Sequence, residues 1–490
     1  MTRAFASSVA SLLRACAKEK DLEGGKKIHA DILQRGLLEK YPHIGSDLVS
    51  MYVKCGSLER SKKTLESLPV RDTIAWNALI AGYVKSGHNK EAMDCFHHMC
   101  NEDMSWPDSI TYSCILKACA SIECLEKGKE IHDEIIRKGL LGKDVVLGTS
   151  LVDMYAKCDQ MSKAEEMFNE LRSRNVISWN VLITGYARHG QSKEALLCFE
   201  RMRREGISPD SVTFMCILKA CGNVQDVHKG KEIHDEIIGK GLLRKDVMLG
   251  NCLIDMYAKC GVLGKAEQVL KELPMQNVVS WSTIISGYVL HGHDKEALTC
   301  YGRMKSCGLS PNSVTFISLL KACGNTKSID MGKQIHDEIV KKGPLERNIM
   351  LGNALVDMYV KCGELAKARQ LLDDLTVRNK VSWSVLIAGY TQHGRSDEVL
   401  NCFEQMKNEG IAPSPIIFTS VLKACSNAGA IDKGKQIHEE IVMRDLLTKD
   451  IRLGNALVDM YAKCGMLAKS QQVFDELPTR NIDSWNALIW

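Results

Sequence analysis

Apolar residues recur along this chain on two scales, three or four residues apart locally and about a hundred residues apart overall. Trp179, Leu182, Ile183 and Tyr186 stand at i, i+3, i+4 and i+7, which predicts one buried face of a helix. A second stripe, Ala195, Phe199 and Met202, ends at Gly206 with Pro209 beyond it, a helix exit. Phe214, Ile217, Leu218 and Cys221 begin the next pair of stripes, completed by Ile233 and Ile237. Leu253, Ile254 and Tyr257 begin a third pair, completed by Ala266, Val269, Leu270 and Leu273. The pattern therefore predicts three helix–turn–helix segments, Val176–Asp210, Ser211–Asp246 and Val247–Asn277, of 35, 36 and 31 residues.

The same 102 residues recur across the chain. Trp76, Trp179, Trp281, Trp383 and Trp485 mark one phase; Cys16, Cys119, Cys221, Cys323 and Cys425 mark another. On this unit the chain divides into a middle and a short segment (6–72), then four triplets at 73–175, 176–277, 278–379 and 380–481. Residues 482–490 begin a fifth. The first triplet is one residue longer, through an insertion near Met104–Trp106. A helical hairpin of this size cannot bury its apolar stripe alone, so neighbours must stack on one another. The expected fold is an all-α solenoid rather than a set of globular domains. The stop inside a first helix reads as a truncated product.

Composition changes this picture little. Hydrophobic residues make up 45% and charged residues 25% of the 490, as in ordinary soluble proteins. A net charge of +4 neither demands nor excludes a polyanionic partner. No apolar run approaches the length of a membrane span, so no membrane partner is expected. The first eighteen residues lack acids and carry Arg, Ser and Ala, as transit peptides do; from Ala6 onward, however, they align with a middle segment. Fourteen of the twenty cysteines occupy repeat positions and no C-x-x-C occurs, which points to small buried hydrophobes in a reducing compartment rather than a metal site. His132–Glu134, His234–Glu236, His336–Glu338 and His438–Glu440 carry the first half of a zinc-deaminase signature without its P-C-x-x-C half. Four equivalent copies on repeating helices imply a structural role. No catalytic residue, metal or cofactor is expected.

SWNALIxGYxxxGxxxEAxxxFxxM…GxxPD resembles the P-type pentatricopeptide repeat, SVTFxxxLKAC…GKxIHDEI its L-type, and LGNxLVDMYAKCG…A…LP its short S-type. The P-L-S order is similar to the land-plant PLS subfamily, over residues 6–490. Tetratricopeptide arrays, at 34 residues per unit, do not account for the 35/36/31 alternation. The resemblance implies a right-handed superhelical α-solenoid that binds single-stranded RNA, one nucleotide per repeat. The reading residues would be the fifth and the last of each repeat.

Carried onto this sequence, the P-type pairs are Asn77/Asp108, Asn180/Asp210, Ser282/Asn312 and Ser384/Ser414. The S-type pairs are Ser46/Asp72, Thr149/Asn175, Asn251/Asn277, Asn353/Asn379 and Asn455/Asn481. The L-type pairs are Ala10/Tyr41, Ser113/Asp144, Met215/Asp246, Ile317/Asn348 and Thr419/Asp450. The P- and S-type positions vary within a small polar set while the flanking Trp, Leu and Tyr do not, which packing alone would not require. From Ser46 onward the family's code implies 5′-G U (G) A U (U) C A n C n (G) C-3′, with L-type nucleotides in parentheses and the unassigned ones at Ile317/Asn348 and Ser384/Ser414. The resemblance also implies that second-position residues such as Ile177 and Val279 wedge between bases; Arg452 departs from that pattern. Lys54, Lys157, Lys259, Lys361 and Lys463 would form a phosphate-tracking row, or else stand as solvated lysines near helix ends.

The function expected from the resemblance is selection of a cytidine for C-to-U editing in a mitochondrial or chloroplast transcript. Editing-complex proteins would be partners, with the deaminase supplied in trans. Two alternatives stand beside it: transcript protection, splicing or translation without editing, and a helical-repeat scaffold for proteins.

Overall fold

The computed structural model describes residues 2–101, 106–141, 144–343, 348–447 and 450–489, with the backbone alone for 2–6. The expected insertion near Met104–Trp106 thus lies largely outside the described residues, as does Trp490. The described residues form α-helices and turns without a strand, arranged in two compact units, Met1–Leu242 and Leu243–Trp490. The all-α expectation holds in both.

In the first unit, Val176–Arg188 and Ser192–Arg204 form one antiparallel hairpin, and Ser211–Val224 with Val227–Gly239 the next. In the second unit, Val247–Lys259 and Leu263–Glu272 make the short hairpin. Leu273, assigned to the second stripe, falls one residue past its helix yet is still buried. The core runs along the seams between hairpins. Trp179 is wholly buried and meets Phe168 of the preceding hairpin edge-on, ring centroids 4.5 Å apart. Arg201 lies over the same indole. Close approach is paid for in side-chain size: a Cβ on Gly250 would sit 2.2 Å from Leu273 Cδ2, and one on Gly454 the same distance from Leu477 Cδ2.

Three of the four H-D-E and H-E-E histidines, together with His29 of an H-A-D segment, hydrogen-bond a tyrosine of the next hairpin. The Nδ1 atoms of His29, His132, His336 and His438 lie 2.8–3.0 Å from the hydroxyls of Tyr52, Tyr155, Tyr359 and Tyr461, with which they share hydrogen bonds. Glu134 accepts hydrogen bonds from Tyr112 and pairs with Lys138. The twenty cysteines are free thiols. Cys95, Cys198, Cys300 and Cys402, on the second helices, are buried, and burial pushes Cys95 and Cys300 up to about 11.

Burial likewise holds His29, His132, His336 and His438 below the ordinary imidazole value. The unfolded chain takes up these protons near pH 6.5, and the folded chain does so only at lower pH. Their contribution to stability is therefore complete above that value and is lost as pH falls toward the folded pKa. The melting temperature should drop between pH 7.5 and 5.5, and the triple variant His132→Gln, His336→Gln, His438→Gln should flatten that slope.

Candidate nucleic-acid interface

Each repeat ends on a residue that starts the next helix. Asn175 Oδ1 accepts from the Ser178 amide at 3.0 Å while Ser178 Oγ accepts from the Asn175 amide, also at 3.0 Å. The same reciprocal capping box forms at Asp108/Thr111, Asp210/Thr213, Asn277/Ser280 and Asn379/Ser382. Asp72, Asp144, Asp246, Asn312, Asn348, Asp450 and Asn481 also cap with their side chains; Ser414 does not. This corrects one step of the sequence argument. Asp, Asn and Ser are the residues a helix N-terminus prefers, so packing does have a use for the restricted set at the last position.

The fifth residues line the floor of the surface beside these caps. Ser46, Asn77, Ser113, Thr149, Asn251 and Ser282 are buried, and Asn180, Met215, Asn353, Ser384, Thr419 and Asn455 half-buried. Asn180 Nδ2 donates to both Asp210 carboxylate oxygens, at 3.0 and 3.1 Å, and Asn77 Nδ2 donates to Asp108 at 3.0 Å. Ser46 Oγ reaches both oxygens of Asp72 at 2.9 Å. Asn455 donates to Asn481 at 3.2 Å, and Ser282 approaches Asn312 at 3.5 Å. Burial alone would raise the Asp108 and Asp210 carboxyls. The amides of Thr111 and Thr213, with the Asn and Thr side chains, outweigh it and hold both below the usual range. They are ionised acceptors at neutral pH.

Other fifth residues turn away from their partners. Thr149, Ser384 and Thr419 donate back to the carbonyls of Val145, Lys380 and Pro415. Ser113 Oγ is buried without a partner among the described residues. Met215 and Asp246 belong to different units.

Position two supplies the apolar half of the surface. Ile74, Ile110, Val146, Ile177, Val212, Met248, Val279, Val314, Met350, Val381 and Ile416 are 45–69% exposed, a series of apolar side chains that the core does not use. Arg452 instead forms a two-pronged pair with Asp450, at 2.9 and 2.8 Å. A cleft of about 430 Å³ holds Asn180 and Asp210 between Ile177 and Val212, with Lys157 and Arg188 at its edge. An equivalent cleft of about 540 Å³ holds Ser282 and Asn312 between Val279 and Val314, beside Lys259. A third, also about 540 Å³, is lined by Arg452, Asn455, Lys463 and Lys423. Clefts of this size with a few convergent polar groups suit a small planar ligand.

Lys157, Lys259, Lys361 and Lys463 each pair with the aspartate one turn earlier, Asp153, Asp255, Asp357 and Asp459, at 2.8–2.9 Å. Lys54 has Ser50 in that place. A second set of cations escaped the sequence reading: Lys117, Lys219, Lys321 and Lys423 stand one turn beyond the fifth residue of four of the five L-type repeats and are exposed. The repeated KAC tripeptide is their signal in the sequence. No cluster of metal-ligating side chains occurs among the described residues.

The PPR repeat family matches at residues 71–121, 174–223, 276–325 and 378–427. The single PPR repeat matches at 110–140, 149–176, 251–278, 353–379, 416–446 and 455–482. A chloroplastic pentatricopeptide repeat-containing protein of Arabidopsis thaliana is 32% identical over 95% of this chain and 74% of its own length. A mitochondrial one from the same plant is 35% identical over 98% and 46%, and another chloroplastic one 33% identical over 96% and 57%. The chain therefore spans between about half and three quarters of these relatives. No described helix is long and apolar enough to cross a membrane.

The fold is similar to that of the pentatricopeptide repeat protein PPR10 from maize, with a TM-score of 0.60 and 21% identity over 99% of this chain and 76% of that one. PPR10 in complex with an 18-nt psaJ RNA element matches with a TM-score of 0.50 and 16% identity, over 98% and 83%. From its repeats and from relatives aligned along nearly its whole length, the chain belongs to the pentatricopeptide repeat family.

Proposed function

We propose that this chain binds single-stranded RNA in a sequence-specific manner, one nucleotide per repeat, as a PLS-type specificity factor for C-to-U editing of organelle transcripts. One observation carries the reading: the recurring cleft in which a polar fifth/last pair sits between exposed apolar side chains of consecutive repeats, with lysine beside it. A base has two apolar faces and a polar edge, and such a cleft offers a surface to each. The PPR10–RNA complex and the chloroplastic and mitochondrial relatives support the RNA partner and the organelle. Asn at the fifth position offers a donor and an acceptor to a pyrimidine edge, while Ser or Thr leaves room for a purine. The editing role rests on the P-L-S order alone.

The test is binding of the purified chain to the 13-nucleotide RNA read from the pairs, at fixed salt. A scrambled RNA and probes changed singly opposite Asn180/Asp210 or Asn251/Asn277 complete the set. Each changed base should cost about 1–3 kcal/mol, the range known from protein–DNA sites. Equal affinity for all probes would leave only a charge-driven binder.

A further inference from the structure

Asn180 reaches beyond its own repeat for its hydrogen bonds. Thr213, third residue of the next repeat, donates from Oγ1 to Asn180 Oδ1 at 2.6 Å while Asp210 accepts from Asn180 Nδ2. The arrangement recurs. Thr111 reaches Asn77 at 2.6 Å, Ser280 reaches Asn251 at 2.6 Å, and Ser484 reaches Asn455 at 2.7 Å. Thr315 meets the Ser282 hydroxyl in the same place.

We propose that this third-position hydroxyl of the following repeat is a positioning group for base discrimination: Thr111, Thr213, Ser280, Thr315 and Ser484 set which edge the fifth residue presents. The proposal rests on the RNA-reading function above and adds a third residue to each reading pair.

The chemistry follows from counting protons. A hydroxyl has one proton, and at Thr213 the oxygen already accepts from the Asp210 amide at 3.2 Å. Its proton is therefore available to Asn180 Oδ1, or to Asp210 Oδ1 at 2.9 Å. With Oδ1 held by the threonine and Nδ2 by the aspartate, the carboxamide cannot flip without setting Oδ1 against the carboxylate. One N–H and one lone pair remain for a base, in a fixed order.

The hydroxyl matters most where the last residue is Asn. Asn277 uses its oxygen to cap the next helix, and the Ser280 hydroxyl is the group that reaches Asn251. At Asn353/Asn379 the Ser382 proton goes to Asn379 instead, at 3.1 Å, and Asn353 Oδ1 stays buried without a partner among the described residues. The acceptor that such a hydroxyl would satisfy is thus in place there. Ser178 also falls outside the series, donating to the Asn175 carbonyl while Thr149 turns to its own helix, and two further repeats lack the hydroxyl. Ala75 follows Ser46, which reaches Asp72 by itself, and Ile417 follows Ser384, which turns to its own helix. Repeats that follow L-type pairs carry Leu147, Leu249, Leu351 and Leu453 at this position.

The test compares the full chain with Ser280→Ala, Thr213→Val and Thr213→Ser. Each is titrated with the 13-nucleotide RNA and with probes exchanging U and C opposite Asn180/Asp210 or opposite Asn251/Asn277. Ser280→Ala should reduce discrimination opposite Asn251 at least fivefold and leave that opposite Asn180 unchanged. Thr213→Val should do the reverse, and Thr213→Ser should restore it. A helix cap that matters only for folding would lower the melting temperature and weaken all probes alike, and that result overturns the proposal. So does discrimination that survives both Ser280→Ala and Thr213→Val, or a Thr213→Ser variant as impaired as Thr213→Val. If the unaltered chain distinguishes none of the probes, the RNA-reading function itself fails, and the positioning role with it. Should Thr213→Val not fold, Ser280→Ala decides the matter.

Discussion

Replacing Lys157, Lys259, Lys361 and Lys463 together by Gln is expected to weaken RNA binding by roughly 10²–10³-fold near 0.1 M salt, without changing which base is preferred. The magnitude follows from counterion release: a single-strand phosphate contact contributes about 0.7 to the slope of log K against log salt. Four lost contacts should lower that slope by about 3. Each lysine is held against the wall of the surface by an aspartate one turn earlier. An ammonium carries three donors, so the carboxylate leaves others for a phosphate. The pairs are partly exposed and add little to folding, about 0–1 kcal/mol each, so the variant should melt close to the unaltered chain. A salt titration with the 13-nucleotide RNA and its scrambled counterpart checks this. An unchanged slope would remove the phosphate row from the interface and move attention to Lys117, Lys219, Lys321 and Lys423.

Trp179→Ala is expected to cost about 3–5 kcal/mol, the range for emptying a large aromatic site in a packed core. The indole is wholly buried, meets Phe168 at 4.5 Å and lies under Arg201. In a repeat array stability is a sum of local terms and neighbour interfaces, so the loss should be regional. Hydrogen exchange should rise in Met161–Glu170, Val176–Arg188 and Ser192–Arg204 and stay near its original level in Val278–Leu290. Uniform exchange along the chain would mean that stability is shared over longer distances than hairpin stacking predicts. Because Asn180 follows Trp179 on the same helix, base discrimination opposite Asn180/Asp210 should fall with it, while that opposite Asn251/Asn277 persists.

The sequence by itself determined the helical hairpins, their length and the buried stripe of each. These depend on residues three or four apart in one helix, and the 102-residue recurrence repeats the test in four or five registers. The recurrence of H-D-E in equivalent copies led to the expectation of a structural role, and His132, His336 and His438 each hydrogen-bond a tyrosine. The candidate reading positions came from the family resemblance, carried onto the fifth and last residues of each repeat.

Only the tertiary structure decided how those residues are held. The last-position residues proved to be helix caps, which accounts for their chemistry before any ligand is considered. The bond from Thr213 to Asn180 joins residues 33 apart, and that from Ser280 to Asn251 joins residues 29 apart. His132 and Tyr155 meet across 23. No local period encodes such distances. They follow from the stacking of one hairpin on the next, which brings the third residue of one repeat to the fifth residue of the repeat before it.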